Sequence, residues 1–148
     1  MKTQIAGLVA LFTTMALPVL AQDTQMTLHK DPYCGCCTAW ADLAAEAGYQ
    51  VTTVETEDIA ATKLEAGVPE AFWSCHTTRI GGYVIEGHVP LDAVARLLET
   101  RPDISGIAVP GMPAGSPGMG DDPAASYDVV AWGGDAGEGA IYQQVRGK

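Results

Sequence analysis

Three of the chain's four cysteines lie in one short motif, Cys34-Gly35-Cys36-Cys37, and the fourth, Cys75, follows 38 positions after Cys37. A thiolate sulfur is a nucleophile in thiol–disulfide exchange and a ligand for soft metal ions. The spacing therefore permits three kinds of chemistry, which are structural disulfides, dithiol exchange and soft-metal binding.

Two disulfides, for example Cys34 with Cys37 and Cys36 with Cys75, are the first interpretation. The bond between Cys36 and Cys75, which closes the longer loop, would add about 4 kcal/mol to the free energy of unfolding by restricting the unfolded chain. Three cysteines in one turn would nevertheless stabilise the fold little as a disulfide framework, because a disulfide stabilises most when it joins distant parts of the chain.

Thiol–disulfide exchange through Cys34 and Cys37 is the second interpretation, since a Cys-x-x-Cys pair at a helix start has a lowered thiol pKa. Thioredoxin-like oxidoreductases carry a cis-proline before the third strand, where this chain has Cys75 and His76 and no proline. Cys36 would also attack mixed disulfides formed at the pair. Exchange is therefore the alternative hypothesis.

Soft-metal binding is the third and favoured interpretation. Cu(I) selects thiolate and thioether ligands and accepts few of them, whereas zinc requires four on one tetrahedron. The side chains of Cys36 and Cys37, neighbours on a helix, diverge by about 100°, so the sulfurs suit several ions better than one. We predict a multinuclear Cu(I) site closed by Cys75, with Lys30 and the helix N-terminus offsetting part of the thiolate charge.

Two methionines and two histidines are further candidate ligands. The tripeptide PGM occurs twice and places Met112 and Met119 in a loop rich in Pro and Gly, where their thioethers can bind Cu(I) or pack over the core. His88 follows a predicted hairpin and can be a ligand or a hydrogen-bonded structural group. His76 is adjacent to Cys75, but on a strand its side chain would point away from Cys75.

The elements that must position these side chains follow from hydrophobic periodicity and turn residues. They are a strand at 26–30, a helix at 36–48, a strand at 49–56, a helix at 59–67 capped by Asp58, a hairpin at 77–87 that turns at Gly81-Gly82, and a helix at 90–102. The order is β-α-β-α-β-β-α, with a right-handed crossover between the first two strands. This is a thioredoxin-like α/β arrangement, in which the loop holding Cys34 to Cys37 lies beside Cys75.

After this core, "ISGIAVP" predicts a short strand before the Pro/Gly-rich loop, and "SYDVVAW" and "AIYQQV" predict a C-terminal hairpin. We therefore expect a thioredoxin-like metal-binding domain at 22–120 and a C-terminal extension at 121–148.

Residues 1–21 have the pattern of a cleaved secretory signal, with Lys2, an apolar stretch too short to span a bilayer, and a small-residue cleavage site near Ala21. A periplasmic protein without a membrane anchor is expected. Loss of Lys2 makes the formal charge −11, one below the −10 of the whole chain. This charge disfavours nucleic-acid binding. No phosphate-binding glycine loop or HExxH helix is present.

The motifs CGCC, SCHT, GGYVIEGHVP and AVPGMPAGSPGM, in this order over about residues 26–120, resemble the CopG family of small exported copper-resistance proteins. The resemblance implies a thioredoxin-like domain that handles Cu(I) or Ag(I) in the periplasm, with other periplasmic copper-handling proteins as partners. It also implies Cys34, Cys36, Cys37 and Cys75 as ligands. Whether the protein stores, transfers or oxidises copper stays open. Oxidation of copper would make it an enzyme.

Overall fold

The structure, a computed structural model, describes residues 24–147, so the predicted signal at 1–21 lies outside the described residues. The strands are β1 (Gln25–Lys30), β2 (Gln50–Glu55), β3 (His76–Ile80), β4 (Tyr83–Glu86), β5 (Gly106–Ala108), β6 (Tyr127–Trp132) and β7 (Ala140–Val145). The α-helices are α1 (Gly35–Glu46), α2 (Ile59–Glu65) and α3 (Leu91–Thr100). The strands form one sheet in the order β2-β1-β3-β4-β5-β6-β7.

The predicted α/β class and the order β-α-β-α-β-β-α are confirmed over β1 to α3. β1 pairs in parallel with β2 and antiparallel with β3, and β3 pairs antiparallel with β4. The thioredoxin-like label stays an interpretation of this order. The predicted C-terminal hairpin is also confirmed, because β6 and β7 pair antiparallel, and β6 joins the same sheet beside β5.

Strand β1 brings the two cysteine-bearing segments to one edge of the sheet. Met26, Leu28 and Lys30 are buried in alternation with more exposed residues, as expected for a strand with one face on the core. Lys30, the last residue of β1, is the Cα partner of His76, the first residue of β3. The loop that follows β1 and the segment that precedes β3 therefore lie side by side.

Helix α1 packs its buried stripe on the sheet. The stripe consists of Cys37, Trp40, Ala41 and Ala44, which follow a helical spacing. Leu43 lies outside this stripe and is 37% exposed. Cys37, by contrast, is itself a fully buried core residue.

The main core lies between one face of the sheet and helices α1 and α3. Its largest members include Trp40, Leu28, Ile85, Leu97 and Ile107. A smaller cluster of Val68, Val84, Ala108 and Trp132 uses alternate residues of β4 and β5, and so lies on the other face. None of the helices within residues 24–147 has the length and apolar character needed to cross a bilayer.

Candidate metal centre

The N-terminus of α1 carries the three clustered cysteines. Cys34 is the N-cap residue and Gly35 begins the helix, so Cys36 and Cys37 lie in its first turn. The backbone N–H of Cys34 donates to the carbonyl of Asp31 at 3.0 Å and closes the turn before the helix. All three cysteines are thereby fixed by local structure, at the positive end of the helix dipole.

Lys30 holds the loop that leads into this turn. Its side chain is buried, and its Nζ donates to the carbonyls of Asp31 at 3.1 Å and Pro32 at 3.3 Å. The Nζ also lies 3.5 Å from a carboxylate oxygen of Glu55. The ammonium that we expected to offset thiolate charge is thus already engaged with the loop and with Glu55.

The four cysteines converge, although Cys37 and Cys75 are 38 positions apart. All four sulfur atoms lie within 4.8 Å of one another. Cys34 and Cys37 form a disulfide with their Cα atoms 5.4 Å apart, while Cys36 and Cys75 are free thiols. The Sγ of Cys36 lies 3.6 Å from that of Cys34. The sulfur of Cys75 therefore lies beside the Cys34–Cys37 disulfide and the thiol of Cys36.

Cys75 also contacts His88, whose tautomer is defined by a second contact, with Pro117. The Sγ of Cys75 is 2.9 Å from Nε2 of His88, and Nδ1 of His88 is 2.7 Å from the carbonyl oxygen of Pro117. Because a carbonyl only accepts hydrogen bonds, Nδ1 must carry the proton of the neutral imidazole. The lone pair of Nε2 is therefore directed at Cys75, the orientation that a metal-binding histidine requires.

His76 is closer to the cysteines than we expected. It lies on β3, where we predicted that its side chain would point away from Cys75, yet its Nδ1 is 3.4 Å from Cys75 Sγ. The prediction was wrong because Cys75 precedes the strand and does not follow its alternation. Nε2 of His76 is buried without a hydrogen-bond partner among the described residues, and the ring packs 5.0 Å from that of Trp40.

Burial controls the protonation of these groups. Burial, and next the neighbouring Cys36, raise the pKa of Cys75 to about 12, so its thiol is protonated at neutral pH in the absence of metal. Burial, then His88 and Lys63, hold the pKa of His76 well below 6.5. Burial also lowers the pKa of His88, against the opposing effect of its bond to Pro117. Both imidazoles are therefore neutral near pH 7, the form that binds metals.

The Pro/Gly-rich loop covers this corner of the molecule. A Cβ on Gly118 would lie 2.9 Å from both the carbonyl oxygen of Cys36 and the backbone nitrogen of Trp40, so only glycine lets the loop approach α1 this closely. At its other end, the backbone N–H of Gly111 donates to the carbonyl of Trp73 at 3.1 Å, and the hydroxyl of Ser74 donates to the carbonyl of Gly111. The loop thus connects α1 with the segment before β3.

The two methionines of this loop differ in exposure. Met112 is 55% exposed, and Met119, next to Gly118, is partly buried. Their role as thioether ligands stays a prediction.

Three groups near the site were missed in the sequence. Pro117 contributes only a backbone carbonyl, which no pattern reveals. Lys63 and Glu86 form a buried ion pair, 2.6 Å apart, behind Cys75. The acidic residue inside the otherwise apolar "YVIEG" was a usable signal, because a carboxylate on a buried strand needs a partner.

The fold and the site together define a small α/β protein with a soft-metal donor set at one sheet edge. Two solved structures, both named copper resistance protein copG, are similar over nearly their whole length. Form 2 is 38% identical, with a TM-score of 0.76, and the match covers 82% of this chain and 97% of that one. Form 1 is 37% identical, with a TM-score of 0.77 and coverage of 84% and 99%.

The chain therefore belongs to the CopG family of copper resistance proteins. DUF411, described as a protein family of unknown function, matches residues 72–119, which include Cys75, both site histidines and the Pro/Gly-rich loop. No curated protein sequence matches the chain.

Proposed function

We propose that this protein binds Cu(I), and Ag(I) in the same way, as a periplasmic component of copper resistance. More than one ion is held by the thiolates of Cys34, Cys36, Cys37 and Cys75. The observation that carries the proposal is the grouping of these four sulfur atoms within 4.8 Å of one another. The two similar structures are both of copper resistance proteins, which supports the same conclusion.

The donor set favours soft ions over zinc and over hydrated cations. Four sulfurs from one helix turn and one distant segment lie within 4.8 Å of one another, close enough for thiolates to bridge metal ions, and Cu(I) favours such ligands. Cys36 lies near Cys34, whereas the sulfur of Cys37 lies 3.8 Å from the carbonyl oxygen of Cys75. Cys36 and Cys37 are adjacent on α1, so their side chains leave the helix about 100° apart, which suits several ions better than one.

Metal binding in this form requires the Cys34–Cys37 disulfide to be reduced. A thiol reductant supplies two electrons and two protons, the S–S bond breaks, and each sulfur becomes a thiol. Cu(I) then displaces the thiol protons, so loading releases protons to solvent.

Nitrogen and thioether donors complete the proposed site. One ring nitrogen of His76 and one of His88 lie within 4.8 Å of each other and of Cys75 Sγ. Nδ1 of His76, 3.4 Å from Cys75 Sγ, and Nε2 of His88, 2.9 Å from it, are the proposed ligands at that side. Met112 and Met119 are the proposed thioether ligands, brought in by the loop over α1.

A titration of the reduced protein with Cu(I) tests the proposal. Competition with a chromophoric Cu(I) chelator, together with metal content by mass spectrometry, should give several Cu(I) ions per chain for the wild type and fewer for Cys36→Ser. Thr53→Ser, at an exposed position on β2, is the matched control. Equal loading of wild type and Cys36→Ser would refute the multinuclear thiolate site.

Thiol–disulfide exchange through Cys34 and Cys37 is the second candidate function, and the disulfide at the N-terminus of α1 favours it. An exchange enzyme requires Cys34 and Cys37 but tolerates loss of Cys36. Reduction of a model disulfide substrate by Cys36→Ser, at or above the wild-type rate, together with no Cu(I) uptake by the wild type, would establish exchange in place of metal binding.

The periplasmic location is tested separately, by expressing the full chain in a Gram-negative host. The mass of the protein in the periplasmic fraction should correspond to a chain that starts at Gln22. Retention of residues 1–21 on a cytoplasmic product would rule out the proposed location.

A further inference from the structure

Helix α2 turns a lysine, instead of a leucine, toward the sheet. Lys63 is 2% exposed, whereas its neighbour Leu64 is 62% exposed, which reverses the usual distribution of these residue types. Lys63 is the one buried residue of α2. A buried ammonium is costly unless it is paired and hydrogen-bonded, so its partner indicates what the arrangement achieves.

That partner is Glu86 on β4, which is fully buried and holds the segment that contains Cys75. Oε1 of Glu86 accepts hydrogen bonds from Lys63 Nζ at 2.6 Å and from the backbone N–H of Ser74 at 2.7 Å. Oε2 accepts a hydrogen bond from the hydroxyl of Thr77 at 2.7 Å. Ser74 and Thr77 are the residues on either side of Cys75 and His76, so one carboxylate fixes both ends of this dipeptide.

Lys63 completes the arrangement. Its Nζ also donates to the Thr77 hydroxyl at 3.1 Å, so lysine, glutamate and threonine form a closed hydrogen-bonded ring. An apolar pair of similar volume would fill the same space without the cost of desolvating two charges. Packing alone therefore does not account for the charges, whereas the bonds of Glu86 to the Cys75 segment do.

We propose that Lys63 and Glu86 are positioning residues of the metal site. Their ion pair holds the backbone on both sides of Cys75 and His76, so that the Cys75 sulfur faces the cysteines of α1 before metal arrives. The part of this inference that concerns copper rests on the proposed function. The part that concerns the placement of Cys75 does not.

The test uses the double variant Lys63→Met with Glu86→Gln, which removes both charges and leaves the net charge unchanged. In the reduced, metal-free protein, the rate of alkylation of Cys75 by iodoacetamide, followed by peptide mass spectrometry, should rise severalfold as the sulfur leaves its half-buried position. The rate at fully buried Cys37 should not change. The apparent Cu(I) affinity should fall by about tenfold, the lower end of what loss of a supporting hydrogen bond costs a metal site.

A matched control is Asp128→Asn with Arg146→Met, an exposed ion pair on the C-terminal hairpin whose removal also preserves net charge. It should leave alkylation and Cu(I) affinity unchanged. An equal increase in the alkylation rate at all four cysteines of the Lys63/Glu86 variant would show general loosening of the fold and would overturn the proposal. An unchanged alkylation rate at Cys75 would also overturn it.

If the double variant does not fold, variants of Thr77 test whether the hydrogen bonds of Glu86 position Cys75. Thr77→Val removes only the hydroxyl that binds Glu86 and should accelerate alkylation of Cys75, while Thr77→Ser, which keeps a hydroxyl, should match the wild type. Identical rates for Val and Ser would overturn the proposal. If the wild type binds no Cu(I), the proposed function fails, but the alkylation rates still test whether Lys63 and Glu86 position Cys75.

Discussion

The two halves of the candidate metal centre are built in different ways. The helix half, Cys34, Cys36 and Cys37, occupies one cap and one helical turn, and its geometry follows from hydrogen bonds between near neighbours. The sheet half, Cys75, His76 and His88, comes from the segment before β3, the first residue of β3 and the segment after β4. Its groups are held by partners from three other parts of the chain.

Those distant partners make the sheet half dependent on the rest of the fold. His88 is fixed by the carbonyl of Pro117 in the Pro/Gly-rich loop, and the Cys75 segment by Glu86 and, through it, Lys63. Remote substitutions should therefore disturb the sheet half while the helix half stays intact.

Cys75→Ser removes the only sulfur of the sheet half and should have the largest effect. The reduced variant should bind fewer Cu(I) ions per chain than the wild type in a chelator-competition titration, because no thiolate then opposes those of α1. Thr53→Ser should titrate like the wild type. Unchanged stoichiometry in Cys75→Ser would mean that the helix half alone forms the site.

Gly118→Ala should separate the loop from α1. The added Cβ would meet backbone atoms of Cys36 and Trp40 at 2.9 Å, and φ at this position is +83°. Gly120 has a similar φ of +81°, but a Cβ added there would have nothing within 4 Å, so Gly120→Ala isolates the backbone strain.

We expect urea denaturation to show a loss of about 2 kcal/mol in the free energy of unfolding for Gly118→Ala and about 1 kcal/mol for Gly120→Ala. The Cu(I) affinity should fall only in Gly118→Ala, since that variant moves Pro117 away from His88. Equal behaviour of the two variants would show that loop contact does not support the sheet half.

The metal-free protein should lose stability in mild acid through the sheet half. Burial holds the pKa of His76 well below the 6.5 expected in the unfolded chain, so below pH 6.5 the unfolded state takes up a proton that the folded state resists. The free energy of unfolding should therefore fall as pH drops, by up to about 1.4 kcal/mol per pH unit. Urea denaturation between pH 7 and pH 5 should show that the free energy of unfolding depends less steeply on pH in His76→Gln than in the wild type. An equal dependence in the two proteins would mean that His76 is not the source of the acid sensitivity.

The smallest effect is expected at the C-terminal hairpin. The exposed pair of Arg146 and Asp128 is 2.6 Å apart, and exposed ion pairs contribute less than about 1 kcal/mol. Asp128→Asn with Arg146→Met should change the free energy of unfolding by no more than that and leave Cu(I) binding at the wild-type level. A loss of Cu(I) binding would show that the sheet half depends on the hairpin as well.

The same difference between the halves determines what the sequence reveals. The helix half is evident from the CGCC motif, and the elements around it follow from hydrophobic period and turn glycines. The meeting of Cys75 with this motif was predicted from element order alone, because a βαβ unit and a following antiparallel strand bring these loops together. Local pattern and connectivity thus predict the α/β class and the convergence of the cysteines.

The missed features depend on contacts that no local pattern records. A leucine is buried more often than a lysine, but the inward residue of α2 is Lys63, because its partner Glu86 lies on a distant strand. His76 was misplaced because strand alternation does not extend to Cys75, which lies outside β3. The contacts of Lys63 with Glu86 and of His76 with Cys75 are specified by tertiary structure.

The central claim is that Cys75 shares metal ions with the cysteines of α1. A crystal structure of the reduced, Cu(I)-loaded protein, with copper located by anomalous scattering, tests it most directly. Our account predicts more than one copper, with at least one bonded both to Cys75 Sγ and to a sulfur of Cys34, Cys36 or Cys37. Copper bonded to the α1 cysteines alone, with Cys75 still hydrogen-bonded to His88, would contradict it.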